Sequence, residues 1–377
     1  MVCWNTTDML IREAVPRLMV TLDDVAARAG VSRMTASNAM RGKSVVKAST
    51  ARKVLAAAAE LGYRPNLAAR QLSSGRTHII GVSVADLDFI FPAALAAELS
   101  DQAFKLGYQL IAQQTRMSAS YEHAMMNSAS AQVCDGTIVC WPSEEADSMV
   151  EFSRSHPTVV MDGFGLEDRV DSVFTPCEAG AHAAVKHLVE QAGARRVLVL
   201  GAEYRSADEL AAGAETSPAL RLRGAASALT EAGLAYEPDN VYRCGWTRES
   251  GYQAMARILE ERREARGTES APSSCDFDAV FCLTDPIAIG ALKALTDVGV
   301  RVPEDVAIIG FDGVEDGKYT NPGLSSVVID TKEVAESCLN LLISRIEAVH
   351  GTAHEELPPR TRTLNYRIAA RGSAERR

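Results

Sequence analysis

The chain has 377 residues, of which 47% are hydrophobic and 23% are charged. This length predicts two or three compact units, and the ordinary hydrophobic content excludes a wholly disordered chain. No hydrophobic run is long enough to cross a membrane, and residues 1–19 lack the continuous apolar stretch of a secretory signal, so we expect a cytoplasmic protein.

Charge divides the chain into two parts. Residues 1–77 hold 12 basic and 5 acidic side chains, out of 39 basic and 49 acidic in all, which leaves the remaining residues with a net charge of −17. A basic head on an acidic body indicates that the head meets a polyanion. The eight cysteines form no Cys-x-x-Cys pair and do not cluster with histidine. We therefore expect reduced thiols, no metal and no cofactor.

The head contains short helix signals after a loose tail over residues 1–19. The first helix begins at an N-cap, Thr21, with Asp24 three residues further on, and it ends at Gly30. Pro65 breaks the chain after the third helix, and Asn66 caps a last short run. The predicted helical spans are 22–29, 33–40, 49–61 and 67–72.

From His78 onward, predicted strands and helices alternate, which is typical of βαβ units and parallel sheets. The strands are too many for one modest sheet, so we predict two α/β lobes. The strand spans are 79–84, 109–113, 136–140, 158–161, 196–200, 240–243, 279–283 and 306–310. The helix spans are 93–106, 179–191, 220–232, 250–261 and 286–298, and the charged, Ser/Pro-rich stretch 263–276 predicts a surface loop.

The first two helices have the spacing of a helix-turn-helix. Gly30 permits the tight turn, and the second helix presents Arg33, Met34, Ser37 and Asn38 outward. Arginine pairs with guanine, asparagine pairs with adenine, and methionine can contact a thymine methyl group. The pattern alone also allows a small three-helix bundle with a solvated face.

Four segments carry a family resemblance: TLDDVAARAGVS at 21–32, TAS at 35–37, ELGYRPN at 60–66 and ARQL at 69–72. Together they resemble the head of the lactose/galactose repressor (LacI/GalR) family, and the body is similar to that family too. The resemblance implies an all-α helix-turn-helix DNA-binding head and an α/β, periplasmic-binding-protein-like body of two doubly wound parallel-sheet lobes.

The same resemblance implies domain boundaries. The tail covers 1–19, the DNA-binding domain 20–66, the hinge helix and linker 67–77, and the effector-binding and dimerisation domain 78–377. Within that last domain the N-lobe is expected at about 78–174 and 330–357, and the C-lobe at about 175–329 and 358–377.

The resemblance also assigns DNA contacts. The four outward side chains of the second helix fall at base-reading positions, and Leu72 falls where a hinge helix wedges into the minor groove beside Ala69. A run of six residues is too short to be a stable helix alone, so DNA must supply its folding energy. Arg70 is expected on phosphate. The remaining predicted DNA contacts are Thr21, Thr35, Tyr63 and Asn66.

In the body, the resemblance implies a small polar ligand between the lobes, where strand ends converge. Arg221 and Arg223 are alternatives on one helix, and the register of Gly224 favours Arg221. Asp285, which precedes Pro286, is either a helix cap or a ligand contact. Relatives usually carry other residues at Gly163, Thr284 and Gly313. The predicted effector contacts are Phe91, Asp162, Arg221, Trp246, Thr284, Asp285 and Asp312.

Two carboxylates, one arginine and aromatic rings suit a neutral sugar or polyol. The sequence therefore predicts a DNA-binding repressor of carbohydrate uptake or catabolism genes, gated by a sugar-like effector. We expect a homodimer on near-palindromic operator DNA in the cytoplasm, associated with the nucleoid when bound. Enzyme motifs such as G-x-G-x-x-G and G-x-S-x-G are absent, so we predict no enzyme. A regulator that no longer answers to a small molecule is the alternative.

Overall fold

A computed structural model describes residues 20–40, 42–63, 76–213, 215–266, 275–350 and 357–376. The chain divides into two compact units, Met1–Thr77 and His78–Arg377. The predicted tail over 1–19 and the predicted hinge run over 67–72 lie outside the described residues.

The head unit contains three helices, α1 (Leu22–Ala29), α2 (Arg33–Met40) and α3 (Ala48–Leu61). Helix α1 begins with a capping box, because the Thr21 hydroxyl accepts from the Asp24 amide while the Asp24 carboxylate accepts from the Thr21 amide. Small side chains let the three helices approach closely around one core. The buried core residues are Val25, Ala26, Ala36, Ala39, Val54, Ala57 and Ala58.

The start of α3 differs slightly from the prediction. The helix begins at Ala48, one residue before the predicted Ser49. Lys47 occupies the N-cap position and makes no side-chain capping bond, so nothing at that residue fixes the start. Gly62 ends the helix with a φ of 64°, a left-handed conformation that glycine adopts without steric cost.

The first lobe is built on a six-stranded, wholly parallel sheet. Its strands are β1 (Ile79–Val84), β2 (Gln109–Gln114), β3 (Gly136–Cys140), β4 (Thr158–Met161), β5 (Asp171–Phe174) and β11 (Thr361–Thr363), in the spatial order β11-β5-β4-β3-β1-β2. Its helices are α4 (Ile90–Lys105), α5 (Ala119–Met126), α6 (Ala129–Val133), α7 (Ala146–Ser155) and α13 (Thr331–His350). Every residue of β1, β3, β4 and β5 is buried, whereas β2 is a partly exposed edge.

The second lobe repeats this architecture in the order β12-β10-β9-β8-β6-β7. Its strands are β6 (Val197–Leu200), β7 (Val241–Tyr242), β8 (Ala279–Cys282), β9 (Ala307–Asp312), β10 (Ser325–Val328) and β12 (Arg367–Ala369). Its helices are α8 (Cys177–Glu190), α9 (Ala207–Ala212), α10 (Ser217–Glu231), α11 (Arg248–Arg266) and α12 (Asp285–Asp297). The edge strand β12 pairs antiparallel with β10, and the other pairs are parallel.

The chain crosses between the lobes three times. It leaves the first sheet after β5, returns after β10 and crosses again between β11 and β12. The predicted last crossing after residue 357 is wrong by several residues, because Thr361–Thr363 pairs with β5 in the first sheet. This three-residue edge strand is fully exposed and lacks the hydrophobic pattern that marks a strand in sequence.

Several elements were not predicted from the sequence, namely strands β5, β10 and β12 and helices α5, α6, α7, α9 and α13. The remaining differences lie at element ends and in the predicted loop 263–276. Helix α4 begins at Ile90 rather than at 93, and α11 continues to Arg266, so the first residues of the predicted loop are helical. Residues 267–274 of that loop lie outside the described residues. Within the described chain, no helix combines the length and hydrophobicity needed to span a membrane.

Candidate DNA-reading helix and effector cleft

Helix α2 exposes two of the four side chains that are predicted to read bases. Met34 is 75% exposed, which is unusual for a large apolar side chain, and Arg33 is exposed beside Asp23 at 3.5 Å. Ser37 and Asn38 are half-buried further along the helix. The exposed side chains of Met34 and Arg33 can therefore contact base edges in a groove of DNA.

Three other predicted DNA-contact residues of the head, Thr21, Thr35 and Tyr63, also make contacts within the head itself. The hydroxyl of Thr35 lies 2.9 Å from that of Ser32, at the start of α2. Thr21 is held in the capping box of α1, and Tyr63 packs half-buried against the head core. Asn66, Ala69, Arg70 and Leu72 lie outside the described residues, so their DNA contacts stay predictions.

Arg221 lies at the centre of the candidate effector site. It extends from α10, and its guanidinium donates to Asp312 Oδ1 at 3.0 Å and to the Leu283 carbonyl at 2.5 Å. Its side chain is 6% exposed, and its Nε has no partner among the described residues. A buried guanidinium N–H without an acceptor is costly, so this atom is available to a ligand acceptor.

Aromatic rings enclose this guanidinium. The Arg221 guanidinium carbon lies 3.8 Å from the centroid of the Phe311 ring and 5.4 Å from that of Trp246. Trp246 Nε1 donates to the Gly201 carbonyl at 2.9 Å, which fixes the indole. Phe91, the predicted aromatic of the first lobe, packs edge-on against Trp141 with ring centroids 6.2 Å apart.

Asp162 directly follows β4 and brings a carboxylate of the first lobe toward Arg221. Its oxygens accept from the Thr175 amide at 2.7 Å, from the Thr175 hydroxyl at 2.8 and 3.0 Å, and from Trp141 Nε1 at 3.1 Å. The positive charge of Arg221 acts on this carboxylate across the lobe boundary. The structure therefore brings Asp162, Arg221 and Asp312 into one interlobe cluster.

Asp285 and Thr284 begin helix α12 on the other side of Arg221. Ser326 donates to Asp285 Oδ1 at 2.7 Å, and the Val314 amide donates to Oδ2 at 2.7 Å. Thr284, not Asp285, is the N-cap of α12, so the predicted helix cap at Asp285 is wrong. The Asp285 carboxylate instead accepts the hydrogen bonds from Val314 and Ser326, and effector contact stays a prediction. Thr284 is 3% exposed, and its hydroxyl has no partner within the described part of the chain.

Backbone strain is concentrated at the strand ends of this cluster. Trp141, Asp162 and Asp312 have φ values of 53°, 50° and 104°, a region that non-glycine residues seldom adopt. Aspartate tolerates the left-handed region near 50°, but a tryptophan there is unusual and is held by its surroundings. Gly313 continues the pattern with a φ of 77°, and a Cβ there would lie 2.7 Å from Val328 Cα. The glycine at position 313, where relatives usually carry another residue, is therefore explained by the lack of space for a side chain.

The two arginine alternatives on α10 have different environments. Arg223 is 31% exposed and pairs with Glu178 and Glu215 on the surface. Gly224 lets α10 approach α8, since a Cβ at that position would lie 2.1 Å from the Glu178 carbonyl oxygen. This close approach places Arg221 inward.

The sequence reasoning missed several residues of the cluster, namely Trp141, Thr175, Cys177 and Phe311. Phe311 directly precedes Asp312 in β9. Every residue of this strand is buried, so its sequence does not show which side chains face the cluster. Thr175 and Cys177 lie on the first crossing, whose path depends on both lobes. The seven described cysteines are free thiols.

Burial raises the pKa of the Asp312 carboxyl to about 6, against the opposing effect of Arg221. Burial also raises the pKa of Asp162, while the hydrogen bonds from Thr175 oppose this shift. The two carboxyls are therefore easier to protonate than exposed ones. A hydroxyl-rich ligand that donates to them would stabilise their charged forms.

Comparisons with known proteins agree with this architecture. Residues 21–66 match the model of bacterial regulatory proteins of the lacI family, and residues 185–374 match a periplasmic binding protein-like domain. The HTH-type transcriptional repressor PurR of Erwinia tasmaniensis is 30% identical over 332 residues, which cover 87% of this chain and 91% of that protein.

Two solved structures are similar over nearly the whole chain. A lac repressor dimer bound to operator and the anti-inducer ONPF superposes with a TM-score of 0.75 at 25% identity, covering 95% of this chain and 99% of that one. The transcriptional regulator CelR in complex with cellobiose superposes with a TM-score of 0.64 at 26% identity, covering 94% and 99%.

A helix-turn-helix head joined to a two-lobed, periplasmic-binding-protein-like body defines a DNA-binding transcriptional regulator. This confirms the predicted fold class. The chain belongs to the lacI family of bacterial regulatory proteins.

Proposed function

We propose that this regulator is a repressor of carbohydrate uptake or catabolism genes and that a sugar or polyol bound between its lobes controls operator binding. One observation carries the proposal. Among the described residues, the Nε of Arg221 in the buried Arg221–Asp312 pair has no hydrogen-bond partner, and the pair lies among aromatic rings beside a second carboxylate, Asp162.

The chemistry of these groups favours a hydroxylated ring. Asp162 and Asp312 accept hydrogen bonds from hydroxyl groups, and Arg221 Nε and the Thr284 hydroxyl can donate to hydroxyl or ring oxygens. The flat face of Trp246 suits the apolar face of a sugar. With Arg221 as the buried cation and two carboxylates nearby, a multiply charged anion is poorly matched.

One of the similar proteins points to a ligand class. CelR was solved in complex with cellobiose, a sugar, whereas PurR is named only as a transcriptional repressor. We favour a sugar because its hydroxyl groups can donate hydrogen bonds to the carboxylates of the cluster, which has more acceptors than donors. A purine base is the competing class, and it would use the same aromatic surfaces for stacking.

On DNA, the proposed base contacts come from Arg33, Met34, Ser37 and Asn38 of α2. Exposed cations on the loop before α3 and on α3 itself, Lys43, Lys47, Arg52 and Lys53, suit phosphate contacts. Proposed additional contacts are Thr21, Thr35, Tyr63, Asn66, Ala69, Arg70 and Leu72. The proposed site of action is the cytoplasm, on a near-palindromic operator.

Two features support a homodimer: exposed apolar side chains on the first lobe, and the two-fold symmetry of a near-palindromic operator. Four large apolar side chains beside the edge strand β2 are exposed: Phe104 by 79%, Leu106 by 50%, Met117 by 63% and Tyr121 by 58%. Exposed apolar clusters of this kind mark protein interfaces. A second copy would cover them and present two heads to two half-sites.

The proposed switch has two states. An effector that contacts Asp162 in the first lobe and Arg221 or Asp312 in the second favours one arrangement of the lobes. Because the lobes are joined by three crossings, a change in their arrangement alters the spacing of the two heads in a dimer.

The test begins with a thermal-shift screen of the full-length protein against mono- and disaccharides, polyols, purine bases and nucleosides. A ligand present at 100 times its Kd adds about 2.7 kcal/mol to the stability of the folded state. The expected result is a hit among sugars or polyols. Operator binding, measured by fluorescence anisotropy on a selected site, should then change with the same ligand.

Two outcomes contradict the proposal. A hit confined to purine bases would replace the sugar with the competing ligand class. No shift with any compound, together with unchanged operator binding, would support a regulator that does not answer to a small molecule. Met34→Ala is the control for the DNA arm, because it should weaken operator binding and leave the thermal shift unchanged.

A further inference from the structure

A pocket of about 280 Å³ lies in the second lobe at the amino ends of β6, β7 and β8. The candidate effector cluster lies at the carboxyl ends of the strands of this sheet, since it includes Asp312, the last residue of β9. Because β6 to β9 are parallel, their amino and carboxyl ends lie on opposite sides of the lobe. The pocket is therefore separate from the proposed effector site.

Positive charge dominates the lining of this pocket. Arg195, Arg196 and Arg262 contribute three guanidinium groups, and Asp276 contributes one carboxylate. The described residues that complete the lining are uncharged, so the described lining has a net charge of +2. By contrast, residues 78–377 together carry −17. A local excess of positive charge on an acidic body indicates an anionic ligand. We call this site the arginine pocket.

Arg262, on α11, is fixed by hydrogen bonds at the arginine pocket, and its side chain is only 18% exposed. Its guanidinium donates to the Tyr242 hydroxyl at 3.0 and 3.3 Å, to the Asp239 carbonyl at 2.7 Å and to Asp276 Oδ2 at 2.5 Å. These bonds use four of its five N–H groups and leave one, on Nη1, without a partner among the described residues. Because the guanidinium is already ordered, it loses little side-chain entropy when a ligand oxygen binds.

Arg195 and Arg196 directly precede β6 and complete the set of cations. Their backbone amides donate to the Asp278 carboxylate at 2.9 to 3.1 Å, which fixes the main chain at this point. Both residues are exposed, and within the described chain neither side chain has an acidic partner. Two unpaired guanidinium groups beside a fixed third one suit the oxygens of a phosphate, which arginine binds through pairs of N–H groups.

We propose that the arginine pocket binds a small phosphate monoester. Such a group carries a charge of about −1.5 to −2 at neutral pH and so balances the lining, whereas a single carboxylate would leave part of the positive charge uncompensated. The pocket is slightly smaller than the roughly 300 Å³ at which small-molecule sites usually begin, so the ligand has few atoms beyond the phosphate. This site is independent of the ligand between the lobes.

Isothermal titration calorimetry of the full-length protein tests the proposal, with ribose 5-phosphate as the probe and ribose as the uncharged comparison. Ribose 5-phosphate should bind more tightly than ribose, and its affinity should fall as the salt concentration rises. The double substitution Arg195→Gln/Arg196→Gln should weaken its binding at least about tenfold, because charge-assisted hydrogen bonds to the phosphate are lost. Both side chains are exposed, so the variant should fold. No binding to the wild-type protein, or undiminished binding to this variant, would overturn the inference.

The double substitution Arg243→Gln/Arg257→Gln is the matched control. These arginines belong to the same lobe, their side chains are 79% and 60% exposed, and neither lines the arginine pocket. The control removes the same charge from the lobe, so ribose 5-phosphate affinity should stay within about twofold of wild type. Equal losses in the two double variants would mean a diffuse attraction rather than a site and would overturn the inference.

Two further measurements distinguish this pocket from the other anion and ligand sites of the protein. Arg221→Ala should leave ribose 5-phosphate affinity unchanged, and a loss there would place the phosphate in the effector cluster instead. Operator affinity, measured by fluorescence anisotropy, should be the same in Arg195→Gln/Arg196→Gln and in wild type. A loss of operator affinity would mean that the arginine pocket contacts DNA phosphates and would overturn its assignment to a small molecule.

Discussion

Two buried arginine–carboxylate clusters, one in each lobe, differ in how completely their hydrogen bonds are satisfied. In the first lobe, Asp171 is fully buried and accepts from the side chains of Arg345 and Arg360 at 2.6 to 2.9 Å. The Arg360 amide also donates to it at 2.8 Å. In the second lobe, Asp312 has one arginine partner, and that partner, Arg221, keeps an unpartnered Nε.

This difference in hydrogen bonding indicates that the Asp171 cluster stabilises the fold, whereas the Asp312 cluster belongs to the proposed effector site. Asp171 joins β5 to α13 and to the segment before β11, which are far apart in sequence. Burial alone would raise the pKa of Asp171, but the hydrogen bonds from Arg345 and Arg360 lower it. The pKa of Asp312 moves the opposite way, to about 6. A fully paired carboxylate stabilises the fold, whereas an under-paired one at a strained strand end suits the proposed ligand site.

The largest expected effect is the loss of stability when Asp171 is replaced. Asp171→Ala removes a fully buried carboxylate from two half-buried guanidinium groups, so the free energy of unfolding should fall by about 3 kcal/mol, the lower end of the range for buried ion pairs. Urea denaturation measures this loss. The control is Asp147→Ala, which breaks an exposed pair with Arg169 and should cost less than about 1 kcal/mol. Similar losses in both variants would contradict the structural assignment.

The next effect is on Arg221. Arg221→Ala should weaken effector binding roughly 10- to 100-fold, because charge-assisted hydrogen bonds contribute about 1.5 to 3 kcal/mol each. Operator binding without effector should be unchanged, since Asp312 can take up a proton when its partner is lost. Calorimetry and fluorescence anisotropy measure the two quantities. An effector response retained in this variant would remove Arg221 from the site.

The two clusters should also respond to pH with opposite signs. The raised pKa of Asp312 means that its stabilising contribution is complete below its ordinary pKa of about 4 and is lost as the pH rises through about 6, at most about 3 kcal/mol. The lowered pKa of Asp171 means that its contribution is present above about 4 and is lost as the pH falls below that value.

Urea denaturation between about pH 2.5 and 8 checks this sign difference in Asp171→Asn and Asp312→Asn. The first variant should lose the acid-side dependence, and the second should show a smaller decline between about pH 4 and 7, where Asp162, whose pKa is also raised, still contributes. A wild-type slope in Asp312→Asn over that interval would show that another group titrates there.

The smallest effect is expected at Arg223, which lies two residues from Arg221 on the same helix. Arg223→Ala removes half-exposed pairs with Glu178 and Glu215, so it should change stability by less than about 1 kcal/mol. Effector affinity should stay within about twofold of wild type. A larger loss of affinity would mean that both arginines belong to the site.

Local signals predicted the head and most of the body. The capping box at Thr21 and Asp24 and the glycines after α1 and α3 act within a few residues, so their effect is readable in sequence. The strands at 79–84, 136–140 and 158–161 are found at the predicted bounds because buried parallel strands are short apolar runs. The edge strands β11 and β12 carry no such run and were not predicted. The buried strands β5 and β10 were also not predicted, because each begins with two polar residues.

By itself, the sequence determined the helix-turn-helix, the alternation of strands and helices, and the residue types at the ends of β4 and β9. These depend on hydrophobic periodicity, capping and turn chemistry, which act locally. Only the tertiary structure decided that Asp285 accepts from Val314 and Ser326, that the last crossing follows β11, and that Arg221 donates to Asp312. Contacts between residues from different lobes and crossings arise from chain topology, which no local pattern encodes.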